Sequence, residues 1–354
     1  MSTGPLLRRN VKFTISHNKF TTLKNREYLA LDFDGVICAS SQESARAGLY
    51  AASLKFPGLV SINNKIGLVE MLQNVRPVVE TGYELIVLAR YFQQSYQTNS
   101  KSFNMNTKSL LRWQQNTVRF VMDRWNENLR SKLLDTYGTS KADLVLTFET
   151  ARDAMMKRSL DSWLESNRLY SHIPTALKLI DPKKLFIVTT KQERFVRAIL
   201  EYNSIPILNH GSSNSKDQAA AAAVTSATSS SDLSSNIFDL DNRYGNKACV
   251  LQEIIRRTSS PDDLPTIHFV EDRYETLLSV LAQRDATTTP QTPTADITAE
   301  TTRQPALRNV RLYLVDWGYN TAAQRQAALK HPEIELINAK QFYALVERIA
   351  AVVP

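Results

Sequence analysis

The sequence predicts an α/β protein, a doubly wound parallel sheet interrupted by a long, mostly helical insertion. Three observations predict it. Short apolar runs of strand length recur along the chain, and stretches with helical apolar spacing separate them. Several runs end in Asp, Glu or Thr, the kind of residue found where an open α/β sheet places its ligand crevice. One interval, residues 39–180, is far too long for a single crossover and reads as helical almost throughout, so it is an insertion after the first strand.

The first run, Tyr28-Leu29-Ala30-Leu31, is too short for an independent helix and reads as a buried strand. It leads directly into Asp32-Phe33-Asp34-Gly35. Side chains of an extended segment repeat every two residues, so Asp32 and Asp34 point the same way. Two carboxylates that close repel each other, and one takes up a proton unless a cation lies between them. Hard oxygen donors crowded in this way suit Mg²⁺. An Asx turn capping the strand explains the same residues, because Asp and Gly are ordinary turn formers. On this stretch alone both readings stand.

Within the insertion, Ser44 to Lys55 forms one helix, ended by Pro57-Gly58. Ile66 to Phe92 is apolar at helical spacing, with a break where Arg76 precedes Pro77. Val118, Val121, Met122, Trp125 and Leu129 keep a helical rhythm, and Thr150 to Trp163 is rich in helix formers. Trp113, Trp125 and Trp163 fall on these stripes and are assigned to the core. Arg76 and Arg90 are assigned to solvated or ion-paired surface.

The pattern then changes period. Leu185 to Val188 is a second strand ending in Thr189-Thr190-Lys191, followed by a helix over Phe195 to Tyr202. Ile205 to Leu208 is a short strand or connector. Residues 209–236, rich in Ser and Ala, read as a disordered low-complexity insert. Order returns at Ile237-Phe238, and Gly245-Asn246-Lys247 opens a helix through Ile255. Thr266 to Val270 is the third strand, ending in Glu271-Asp272-Arg273, with a helix over Tyr274 to Ala282 after it. Residues 285–305, rich in Thr and Pro, are a second low-complexity insert. Arg311 to Val315 is the fourth strand, ending in Asp316-Trp317-Gly318. Helices over Ala322 to Leu329 and Ala339 to Ala350 flank a short strand, Ile334 to Ile337.

Composition excludes several function classes. The 354-residue chain carries a net charge of +8, which resembles a nucleic-acid signal. Residues 1–26 hold Arg8, Arg9, Lys12, Lys19, Lys24 and Arg26 and no acid, so the other residues hold 37 basic against 35 acidic groups. The excess is local, and no nucleic-acid partner is expected. A segment rich in Lys, Arg, Ser and Thr and free of acids fits an organelle transit peptide or a disordered basic tail. No apolar run approaches the roughly 20 residues needed to span a bilayer, so no membrane partner is expected. The two cysteines, Cys38 and Cys249, give neither a disulfide framework nor a zinc spacing, which suits a reducing compartment. Cys38 is assigned a space-filling role. The five histidines show no metal-ligand pattern.

In a parallel sheet the strand ends converge on one edge. Asp32 and Asp34, Thr189, and Glu271 with Asp272 then surround one crevice, together with the helix-opening Lys247. Phosphoryl transfer needs such a set. A carboxylate attacks phosphorus, a second moves the proton, and cations hold the charge of the equatorial oxygens.

This order of motifs resembles the haloacid dehalogenase superfamily. Asp32-Phe33-Asp34-Gly35-Val36 matches the first motif, Thr189 the second, Lys247 the third and Glu271-Asp272 the fourth. The closer likeness is to the phosphoglycolate-phosphatase-like branch. Val75 to Glu84, Phe186 to Gln192, Phe269 to Arg273 and Val315 to Thr321 look like plant, algal and cyanobacterial members. The likeness spans roughly Tyr28 to Ala350. It implies a Rossmann-like core formed by residues 27–38 and 181–354, with residues 39–180 as a helical cap that covers the site and selects the substrate. It implies a Mg²⁺-dependent hydrolase acting on a small phosphorylated metabolite. Asp32 would be the nucleophile and a metal ligand. Asp34 would be the general acid/base, its backbone carbonyl touching the metal. Thr189 and Lys247 would hold the phosphoryl group, and Asp272, with Glu271 beside it, would complete the metal site. With the basic amino terminus, the likeness implies a plastid protein, the cytoplasm and mitochondrion being the alternatives.

Two departures stand out. Thr276 occupies the place, four residues after Asp272, where many members carry another acid, with Glu275 adjacent. Cys38-Ala39-Ser40 stands where an acid often follows the first motif. Two further readings are kept. One is a non-catalytic binding or regulatory protein that retains the fold. The other is a dehalogenase-type hydrolase, in which Asp32 attacks without a metal.

Overall fold

The computed structural model describes residues 26–102, 106–207, 235–239, 244–260, 264–286 and 307–351. Six strands form one sheet: β1 (Glu27–Leu31), β4 (Leu185–Thr189), β5 (Ile237–Asp239), β6 (Thr266–Glu271), β7 (Val310–Val315) and β8 (Ile334–Ile337). Their order is β5-β4-β1-β6-β7-β8, and every pairing is parallel. This is the doubly wound sheet expected. The central strands are mostly apolar because both faces are covered, with polar residues such as Glu27, Arg311 and Glu335 near strand ends or on the edge. In β1, Leu29 and Leu31 pack on one face with helices α8 (Leu160–Glu165), α9 (Ile173–Leu177), α10 (Glu193–Tyr202) and α14 (Ala339–Ala350). Ala30 packs on the other face with α11 (Lys247–Thr258), α12 (Tyr274–Ala286) and α13 (Ala322–Lys330). Leu29 and Leu31 are fully covered, and each such side chain contributes roughly 1.5–3 kcal/mol.

Strand order fixes the site. From β1 the chain goes out to β4 and β5 on one side, then to β6, β7 and β8 on the other. The order therefore reverses beside β1, and the splayed connections leave a crevice outside its carboxyl end. Asp32 is the first residue past that end, and its N–H donates to the Val270 carbonyl at 2.9 Å, extending the pairing with β6.

A helical cap is inserted after β1. It contains α1 (Ser41–Lys55), α2 (Leu59–Ile66), α3 (Leu68–Asn74), α4 (Tyr83–Ser102), α5 (Thr107–Arg124), α6 (Glu127–Thr136) and α7 (Lys141–Arg158). These helices share their own apolar cluster, with Leu68, Leu72, Ile86, Phe92 and Val121 at its centre. A two-residue ladder brings the two ends of the insertion together: β2 (Cys38–Ala39) pairs antiparallel with β3 (Arg168–Leu169). Past α7, Trp163, Ile173, Leu177 and Ile180 pack with the sheet rather than with the cap cluster.

Several boundaries differ from the sequence expectation, each for a local reason. The stretch from Thr150 to Trp163 is two helices, because Ser159 leaves helical geometry and its hydroxyl accepts from Ser162 N–H. The stripe from Val118 to Leu129 likewise crosses a break, where Asn126 caps α6. Ile66 to Phe92 breaks before Pro77 as expected and also at Gly67, whose φ is +57°. Arg26, counted above with the basic tail, belongs to the sheet: its carbonyl accepts from Thr266 N–H at 3.0 Å. Asp285 closes α12 rather than opening an insert. The expected basic tail or transit peptide over residues 1–25, the Ser/Ala-rich insert before Ser235 and the Thr/Pro-rich insert from 287 lie outside the described residues.

Candidate active site

Asp32, Glu271 and Asp272 each place a carboxylate oxygen within 4.8 Å of the others, and all three are buried. Two parallel neighbours, β1 and β6, deliver them side by side from their carboxyl ends. Asp32 and Asp272 line a cavity of about 240 Å³ whose wall also includes Asp34, Lys247, Arg76, Thr190, Glu275 and Thr276, with Glu271 buried behind it. A larger groove of about 780 Å³ between α4 and α5 is lined by Tyr91, Trp113, Phe120 and polar residues without any acid, so the chemistry is assigned to the smaller cavity.

Lys247 opens α11, capped by Asn246, whose side chain accepts from Cys249 N–H. The lysine Nζ stands 2.8 Å from Asp32 Oδ1 and donates to Glu271 Oε2 at 2.7 Å. Glu271 is fully engaged. Its Oε2 receives Lys247, and its Oε1 accepts from the N–H groups of Asp272 and Arg273 at 3.0 and 3.1 Å. Asp272 Oδ2 accepts from Tyr319 N–H at 2.7 Å, and its carbonyl accepts from Asn320. Two glycines make room for that carboxylate. Gly35 has φ +91°, and a Cβ there would stand 2.0 Å from Asp272 Oδ2; a Cβ on Gly318 would stand 2.3 Å from Asp272 Cβ.

Electrostatics separates the two aspartates of the first motif. Burial, and then Glu271, push Asp32 up to about 7 against the opposing pull of Lys247. Burial also raises Asp34, but Lys191, Arg76 and Arg152 more than offset it and hold the group at about 2. Asp272 is raised by burial and by Asp32, and Glu271 by burial. Burial opposes the charge on Lys247, but Asp32 and Glu271 outweigh it and keep the ammonium protonated. Three crowded acids thus face two cations, Lys247 at Asp32 and Glu271, and Arg76 at Asp272, and the shortfall of positive charge shows at Asp32. A hard divalent cation would remove that deficit, so the donor set fits Mg²⁺. Asp32 and Asp272 have the oxygens to hold it.

No family model matches the chain, and no curated protein matches it. Two solved structures are similar to it at 12% identity. One is a predicted phosphatase from Clostridium acetobutylicum, with a TM-score of 0.42 over 91% of this chain and 99% of that one. The other is a candidate phosphoglycolate phosphatase from Lactobacillus delbrueckii subsp. bulgaricus, with a TM-score of 0.41 over 92% and 99%. At that distance the chemistry of this chain is read from its own site.

The structure brings Asp32, Asp34, Lys247, Glu271 and Asp272 together, with Asp34 outside the three-carboxylate group. Thr189 is placed differently. It is buried, its hydroxyl accepts from Lys191 N–H at 3.1 Å, and Thr190 is the residue that lines the cavity. Thr276 and Glu275 both line the cavity, and Glu275 Oε1 also accepts from Gln324 at 2.7 Å. Cys38 is buried and fills space, as expected, and burial pushes its thiol well up.

Sequence reasoning placed Arg76 on the surface, but it lines the cavity. It lies 4.7 Å above the Tyr319 ring, and its Nη1 shares the Val79 carbonyl with Arg273 Nη1. Its short 3₁₀ turn, Arg76–Val78, reaches over the site from the cap. The clue available in sequence was Arg-Pro at a helix break, which marks a turn without saying which way it faces. Glu43 and Arg152 were not singled out, and Lys191 was read only as part of the polar end of its strand.

Proposed function

We propose that the chain is a Mg²⁺-dependent phosphatase that hydrolyses a small phosphomonoester through an aspartyl-phosphate on Asp32. One observation carries the reading. A buried carboxylate at the switch point of the sheet is paired with Lys247 and crowded by Glu271 and Asp272, in a cavity reached by Arg76 of the cap. The motif order that resembles the haloacid dehalogenase superfamily supports the same chemistry.

In this reading Asp32 attacks phosphorus and the bond to the leaving alcohol breaks. Lys247 and Arg76 face the charge on the transferring oxygens. Glu271, with both oxygens occupied, keeps Lys247 aimed at Asp32. Asp34 is ionised in the free site, so the proton it gives the leaving oxygen is taken up when the substrate's own negative charge arrives beside it. It then accepts a proton from the water that cleaves the aspartyl-phosphate. Asp32 and Asp272 would hold Mg²⁺, which would supply the charge neutralisation that lets one anion approach another.

Thr276 in the cavity wall favours a second reading, a ligand-binding protein without turnover. One assay separates the two: hydrolysis of a phosphomonoester panel with Mg²⁺, beside Asp32→Asn and an EDTA control. Turnover that needs Asp32 and the metal is expected. Turnover no greater than that of Asp32→Asn removes the phosphatase reading, and turnover that survives EDTA removes the metal from it.

A further inference from the structure

A buried line of four charges runs from the site into the cap. Asp34 Oδ1 lies 3.0 Å from Lys191 Nζ, near enough for an ion pair but out of line for a hydrogen bond. Lys191 Nζ lies 3.9 Å from Glu43 Oε2. Glu43 in turn accepts from Arg152 Nε at 2.9 Å and Nη2 at 2.8 Å. Signs alternate along the line, so it is neutral as a whole. Its members come from four places: the loop after β1, the loop after β4, α1 and α7. The Lys191 and Glu43 side chains are fully covered, and the Asp34 side chain is 13% exposed.

A charge removed from water this completely must be held by its neighbours, or it costs several kcal/mol. Lys191 has three oxygen neighbours, those of Asp34, of Glu43 and of Asn167 at 3.4 Å. Phe33 closes off another side, its ring centroid 5.5 Å from Nζ. Glu43 is fixed by the two-pronged contact of Arg152 and by Trp163 Nε1, which donates at 3.2 Å. An ammonium so confined fixes the position of the carboxylate it faces. Lys191 is the ion-pair partner at Asp34 Oδ1, with the Ser40 hydroxyl beside the same carboxylate and Arg76 and Arg152 acting on it more weakly.

We propose that Lys191 is the positioning residue for Asp34, and that Glu43 and Arg152 of the cap hold Lys191 in place. The cap then helps set the proton-transfer geometry, besides covering the site. The proton-transfer part rests on the phosphatase reading; the pairing does not.

The test compares kcat/KM for two esters, p-nitrophenyl phosphate and glycerol 1-phosphate. The nitrophenolate leaves without a proton, whereas the alkoxide needs one. Proton donation is worth about 10²–10⁴-fold, so Lys191→Met should lower glycerol 1-phosphate hydrolysis at least about tenfold more than hydrolysis of the aryl ester. Lys191→Arg should restore part of the difference. If Lys191→Met does not fold, Glu43→Gln should give the same skew. Equal loss on both esters overturns the positioning role. A second arm needs no turnover: thermal unfolding of Lys191→Met, Asp34→Asn and the double variant. The double variant should be less destabilised than the two single losses together, and strict additivity overturns the pairing. If the wild type hydrolyses neither ester beyond Asp32→Asn, the phosphatase reading has failed, and this cycle decides the pairing by itself.

Discussion

Replacing Gly35 by alanine adds one methyl group at the point where the candidate site is tightest. Two costs follow from the structure. The backbone there has φ +91°, a conformation that costs an alanine about 1–2 kcal/mol. The new Cβ would also stand 2.0 Å from Asp272 Oδ2, 2.5 Å from its Cγ and 2.9 Å from Tyr319 Cδ2. Normal carbon contacts are about 3.5 Å, so the carboxylate must retreat by roughly 1 Å or more. That retreat breaks the 2.7 Å hydrogen bond from Tyr319 N–H, a loss of about 1 kcal/mol. The sum is a destabilisation of roughly 2–3 kcal/mol, with phosphatase activity lowered about 10²-fold by the displaced carboxylate. Gly138→Ala is the control, because Gly138 also has positive φ, +60°, but nothing lies within 4 Å of its Cβ position. It should lose only the backbone share and keep full activity. The assay is kcat/KM on a phosphomonoester, with thermal melts recorded with and without Mg²⁺. Gly35→Ala retaining activity within about threefold of wild type and the same stabilisation by Mg²⁺ would refute the placement of Asp272 at the reacting centre.

Three further outcomes are expected. Arg152→Met strips the buried Glu43 of its bidentate partner and should cost about 3–5 kcal/mol in chemical denaturation, while the paired change Glu43→Gln with Arg152→Met should recover most of that; equal losses would contradict it. His268 is fully covered, with Nδ1 against the Tyr313 hydroxyl at 2.9 Å, and burial pushes it down from 6.5 to about 3. Glu27 at 3.7 Å is too far to hydrogen-bond its other nitrogen. Only the unfolded chain protonates it between those values, so its contribution to stability is complete above pH 6.5 and is lost as pH falls toward 3. His268→Gln should therefore flatten the stability profile by about 1.4 kcal/mol per pH unit inside that window, and an unchanged slope would contradict this. Mg²⁺ at a hundred times its dissociation constant should stabilise the folded chain by about 2.7 kcal/mol, and Asp272→Asn should lose most of that shift; an undiminished shift would place the ion elsewhere.

Much of the fold was legible because parallel strands covered on both faces are mostly apolar, as Leu185 to Val188 is throughout and Thr266 to Val270 is apart from Thr266 and His268. The strand ends were legible for the same reason: polarity appears abruptly where the sheet stops, at Asp32 and at Glu271. Other features were not. The two-residue ladder between Cys38 and Leu169 is too short to carry a pattern and joins positions 131 apart. Glu43 and Arg152 meet across 109 residues, so neither announces the other, and each alone reads as a solvated helix charge. Thr189 and Thr190 are adjacent and chemically alike; only the bend after β4 decides which one faces the cavity. Arg76 shows the same limit, since its turn was predictable and its direction was set by the cap's packing onto the core through Val79.

The central claim is that Asp32 becomes covalently phosphorylated. Mixing the chain with a phosphomonoester and Mg²⁺, quenching in acid and mapping peptides by mass spectrometry measures this directly. The expected result is one phosphoryl group on the peptide containing Asp32, absent from Asp32→Asn. Turnover with Asp32 unmodified, or with the phosphoryl group on another residue, would contradict it.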